Sequence, residues 1–141
     1  MNVYEAVLEQ MMRSGVRYFS GMVGSTSAPY IAHLAQQSET RYIAVRHEQV
    51  AAALLDATAR LTGVPGCVIA HGGSGLLAAS LGVASAALDS TPMRGLSATQ
   101  ERVAMERGWG LTTAIRLSPN WRSCLAVAAT GSISQGHLTR R

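Results

Sequence analysis

The chain has 141 residues, 48% hydrophobic and 14% charged, with a formal net charge of +4. That size and balance suit one domain with a buried core and exclude a disordered segment. The basic excess lies entirely toward the C-terminus: residues 1–100 hold six Arg and six acids, residues 101–141 six Arg and two acids, with no Lys anywhere. These arginines are scattered and carry no interleaved aromatic platform, which excludes a nucleic-acid arm.

In chain order, residues 3–15 (VYEAVLEQMMRSG) place Val3, Ala6, Val7, Gln10 and Met11 near one helical face before a glycine stop. VRYFSGMVG (16–24) reads as a strand entering a glycine loop. Ser27 and Pro29 mark a helix start, followed by Ile31, Leu34 and Ala35 at helical spacing. RYIAV (41–45) is a short strand. HEQVAAALLDATARLTG (47–63) is the clearest helix, with Val50, Ala53, Leu54, Ala57 and Leu61 on one apolar stripe. VPGCVIA (64–70) is a strand, HGGSG (71–75) a flexible loop, residues 75–90 an Ala-rich helix, and STPM opens a further strand.

Short apolar strands thus alternate with helices. Strands that are apolar on both faces fit a parallel α/β sheet with helices on both sides, whose ligands sit beyond the strands' carboxyl ends. Beyond about residue 98 this regularity fails, and Arg94 and Gly95 are unfavourable inside a buried strand. The expected division is an α/β domain over 1–110 and an irregular tail over 111–141. Acid content, charge balance and periodicity all break near residues 107–112, so an out-of-frame tail is a working hypothesis. No apolar run is long enough to span a membrane. The acidic N-terminus is no signal peptide, and Cys67 and Cys124 are two separate free thiols, so a cytoplasmic location is expected. His33, His71 and His137 read as isolated surface or loop residues. No P-loop, catalytic triad order or metal-ligand cluster is present in the sequence.

Four stretches carry a resemblance: GVRYFSGMVG (15–24), RYIAVRHEQVAAALLDATARLTGVPG (41–66), HGGSG (71–75) and ASAALDSTPM (84–93). In this order and spacing they resemble the N-terminal, pyrimidine-binding domain of thiamine-diphosphate enzymes of the acetolactate synthase type. The likeness covers roughly residues 1–100, truncated at the C-terminal side. By residue type alone, Glu48 is a first-turn acid of its helix. The resemblance implies that Glu48 is the carboxylate that hydrogen-bonds N1′ of the cofactor aminopyrimidine and so promotes loss of the thiazolium C2 proton.

The resemblance also implies cofactor contacts from Gly24, Gly73, Ser74 and Gly75 and a substrate-side role for His47, which by type equally suits a helix cap. Two departures stand out. The family's Gly-Pro-Gly is Gly73-Ser74-Gly75 here, with no Asn at Leu77 or Ala78, and the Pro preceding Gly24 is replaced by Val23. The implied cofactor is thiamine diphosphate, its magnesium and diphosphate held by a missing domain or partner; the implied substrate is a small 2-oxo acid. Implied partners are a second copy of the chain or a separate diphosphate-binding chain. The expected function is that of a domain or fragment of a 2-oxo-acid decarboxylase or carboligase, inactive alone. The alternatives are the small subunit of a split enzyme, and a non-catalytic interaction module or pseudogene product.

Overall fold

The computed structural model describes residues 2–99 and 125–129. Its elements run α1 (Val3–Arg13), β1 (Tyr18–Gly21), α2 (Ala28–Leu34), β2 (Arg41–Ala44), α3 (Glu48–Thr62), β3 (Gly66–His71), α4 (Gly72–Leu88), β4 (Met93–Thr99) and β5 (Leu125–Ala129). The strands form one parallel sheet in the order β2-β1-β3-β4-β5. This is the expected α/β architecture. Successive strand residues face opposite sides, so the sheet carries two cores. On one side Phe19, Cys67, Ile69 and Leu96 pack with Leu8 and Met11 of α1 and Tyr30 and Leu34 of α2. On the other, Val68 and Met93 pack with Ala51, Ala52 and Leu55 of α3 and Ala79, Val83 and Ala86 of α4.

The small side chains explain the close approach of α3 and α4. A Cβ on Gly82 would come within 2.5 Å of the Ala52 methyl, and one on Gly66 within 2.8 Å of Leu55. Helix α3 ends where expected, on Gly63 at φ +72°, a conformation that costs glycine nothing. Arg60 then ties the two helices at one end, donating to Asp56 within α3 and to Asp89 just past α4.

Several expectations are corrected. The stripe Val50, Ala53, Leu54, Ala57, Leu61 is not the buried face of α3. The buried positions are Glu48, Ala51, Ala52, Leu55 and Ala59, because packing on a sheet and a neighbouring helix at short distance selects the small face rather than the bulky one. Leu61 remains 87% exposed. Similarly α1 buries Leu8 and Met11, and Ala35 lies outside α2 and exposed.

HGGSG is not a loop: His71 ends β3 and α4 begins at Gly72, whose φ of +56° turns the chain without intervening residues. Arg94 and Gly95 do lie inside β4, with Gly95 buried; the ladder to β3, pairing Cys67 with Arg94 and Val68 with Gly95, overrides their low strand preference. The segment read as an irregular tail contains β5, which pairs in parallel with β4 from Gly95↔Leu125 to Thr99↔Ala129. LAVAA is a short apolar run of the buried-strand kind, followed directly by Thr130, Gly131 and Ser132. Cys67 is free and buried, whereas Cys124 and His137 lie outside the described residues.

Candidate functional site at the carboxyl edge

The strand order sets where a ligand can bind. The chain leaves β1 for α2 on one face, and leaves β3 for α4 on the other, although β1 and β3 are neighbours. Their carboxyl ends therefore open a crevice at the topological switch point. Tyr42 of β2 donates its hydroxyl to the Gly21 carbonyl at 2.8 Å, closing the end of β1.

Glu48 is the first residue of α3, delivered by β2. His47 caps the helix, its Nδ1 accepting the Gln49 amide at 3.2 Å while the ring stays exposed. Only 4% of Glu48 is exposed, and its carboxylate makes no hydrogen bond or ion pair among the described residues. Its nearest neighbour of note is Gly75 in the first turn of α4: a Cβ there would lie 2.5 Å from Glu48 Oε1. The N-terminus of α3 beneath it is a favourable place for a negative charge. The sequence-predicted pair Glu48 and Gly75 is thus brought together. Gly73 is buried in the same turn of α4 as Gly75, and Ser74 is exposed.

Gly24 belongs to the loop after β1 and meets a different group. A Cβ at Gly24 would sit 2.4 Å from His71 Nδ1, and the same nitrogen lies 2.9 Å from the Thr26 hydroxyl. His71 is therefore not an isolated residue but part of the crevice, half-buried at the end of β3. Sequence reading missed both it and Thr26, since strand order alone makes residues 26 and 71 neighbours. His33 is half-buried too, its ring edge-on to Tyr4 and 3.3 Å from Gln37 Nε2, away from this edge on α2. Among the described residues no group of three or more His, Cys, Asp or Glu could hold a metal ion, and no helix is long and apolar enough to cross a membrane.

The family described as thiamine pyrophosphate enzyme, N-terminal TPP binding domain, matches residues 1–114. The chain belongs to this family. It is 34% identical over 103 residues to an acetolactate synthase of Arthrospira platensis, covering 71% of this chain and 18% of that protein. The acetolactate synthase large subunit of Haemophilus influenzae is 35% identical over 89 residues, 63% of this chain and 16% of its own length. Among solved structures, the Rhodococcus jostii thiamine diphosphate-dependent 4-hydroxybenzoylformate decarboxylase superposes with a TM-score of 0.70 at 21% identity, over 81% of this chain and 21% of that one. Benzoylformate decarboxylase from Polynucleobacter necessarius gives 0.65 at 23% identity, over 76% and 20%. These two likenesses establish the fold. The chain spans less than a fifth of the length of the two acetolactate synthases.

Proposed function

We propose that this chain supplies the pyrimidine side of a thiamine-diphosphate site in an enzyme acting on 2-oxo acids, with Glu48 as the activating carboxylate. One observation carries the reading: Glu48 is 96% enclosed, has no partner among the described residues, and lies against a bare glycine at the carboxyl edge. An unpaired carboxylate suits a protonated ring nitrogen, with which it forms a charge-assisted hydrogen bond. When bound, the cofactor supplies a thiazolium carbon that becomes a nucleophile toward the oxo group once its proton is removed. The protein's share is to hold the aminopyrimidine through Glu48 and exclude water around it. Gly24, Gly73, Ser74 and Gly75 would line the ring, Gly73 and Ser74 through first-turn amides of α4 that lack helical acceptors. His47 would face the substrate through Nε2, since Nδ1 caps the helix.

Magnesium and the diphosphate would be held by another domain or chain. The unit doing this work would be residues 1–110, close to the family match that runs to residue 114. A partner is supported by Val50, Leu61, Leu77, Leu81 and Leu88, large apolar side chains exposed on α3 and α4. It would be a second copy or a diphosphate-binding chain.

The test is a chimera in which residues 1–110 replace the matching segment of an acetolactate synthase, followed by hydrogen–deuterium exchange at cofactor C2. The chimera should exchange, and Glu48→Gln in it should slow exchange by at least about 100-fold, the usual scale for losing a proton-transfer group, with cofactor still bound. Equal exchange in both would refute the role of Glu48. The chain alone should bind thiamine diphosphate with magnesium weakly or not at all by calorimetry.

A further inference from the structure

Two side chains at the switch point are joined in a way that the role of Glu48 does not require. His71 Nδ1 lies 2.9 Å from the Thr26 hydroxyl, and Gly24 approaches the ring so closely that no Cβ fits between them. The loop holding both residues is itself fixed. Ser27, fully buried, accepts the Gly24 amide at 2.8 Å and donates to the Met22 carbonyl at 3.0 Å through the same hydroxyl. The imidazole is therefore caught between a bare backbone and a hydroxyl on a rigid turn, while Nε2 has no hydrogen-bond partner among the described residues. The Thr26 hydroxyl can donate to Nδ1 or accept from it, and in either case Nε2 is left to take the opposite role toward a ligand, donor in the first and acceptor in the second.

We propose that Thr26 is a positioning residue, holding His71 in one tautomer and one orientation so that Nε2 is the group offered to a polar atom of a ligand at the carboxyl edge. His71 stands one helical turn ahead of Gly75, the residue against Glu48, so the two polar groups flank the same opening of α4. The inference rests on reading this edge as the cofactor crevice, but its test needs no cofactor.

The experiment is long-range proton–nitrogen NMR of the whole chain labelled at histidine with nitrogen-15, at a pH where the ring is neutral. His71 should show one tautomer in the wild type and in Thr26→Ser, and a mixture in Thr26→Val with the remaining amide spectrum unchanged. The same single tautomer in Thr26→Val would overturn the proposal. Should the valine variant not fold, Thr26→Ala is read the same way, and two tautomers in the wild type overturn the proposal without any variant. A chimera insensitive to Glu48→Gln alongside a single His71 tautomer would strike the role of Glu48 and spare this one.

Discussion

Glu48 Oε1 occupies the space where a side chain at position 75 would begin: a Cβ on Gly75 would lie 2.5 Å from it. The carboxylate is thereby held between the first turns of α3 and α4, two helices that pack through alanine and glycine on the same face of the sheet. The contact is specific enough to be measured.

Gly75→Ala should destabilise the chain by about 1–3 kcal/mol through overpacking. In a Glu48→Ala background the same substitution should be neutral or gain up to about 1 kcal/mol, because alanine is the better helix former. Urea unfolding of the four proteins in a double-mutant cycle checks this. If Gly75→Ala costs the same in both backgrounds, the two residues do not meet.

Alkaline stability should fall earlier than in proteins without a buried thiol. Burial pushes the Cys67 thiol up to about 12 from 9.0, a rise that nearby Arg94 partly opposes. Burial also raises Tyr30 and Tyr42. Above pH 9 the unfolded chain loses the thiol proton that the folded chain keeps, so stability drops with rising pH at about 1.4 kcal/mol per unit for one such group. Below pH 9 this contribution is fully present. The urea midpoint should decline between pH 9 and 12, and the decline should be shallower, though not absent, in Cys67→Ala. Identical profiles would mean Cys67 is accessible, which labelling of the native protein by a thiol reagent would also reveal.

The outer face of α3 and α4 should drive association. Leu61 on α3 is 87% exposed, and Leu81 and Leu88 on α4 are 66% and 83% exposed, and large apolar side chains left on an outer face favour association. Sedimentation should show concentration-dependent self-association of the chain, weakened by Leu61→Glu with Leu81→Glu and with no change in circular dichroism. A monomer at all concentrations, before any substitution, contradicts the expectation.

Ending the chain at residue 110 removes β5 and turns β4 into an edge strand with unpaired backbone groups. The shortened chain should aggregate faster and unfold at lower urea than the full one, as followed by light scattering and fluorescence. Unchanged behaviour would show that β5 contributes nothing to the sheet in solution, and would favour a tail foreign to the family; resequencing the coding DNA beyond Gly110 then decides whether the frame has slipped.

Much of the architecture was legible in the chain itself. Alternating short apolar strands and helices, and glycine at position 63, follow from local rules of periodicity and backbone freedom, and these predict a parallel α/β sheet and place Glu48 where a strand meets a helix. Local rules could not identify which side of α3 is buried. The apolar stripe through Val50 and Leu61 looks like a core face, but the spacing between α3, α4 and the sheet admits only the alanine side.

The fate of LAVAA at 125–129 depended on the exposed edge of β4, and Arg94 and Gly95 stay in a strand because β3 pairs with both and β5 pairs with Gly95. The meeting of Thr26 with His71, and of Glu48 with Gly75, required the β2-β1-β3 order, which brings loops far apart in sequence to one end of the sheet. Periodicity is a property of neighbours along the chain; a binding crevice is made by neighbours across it, and only the folded sheet decides those.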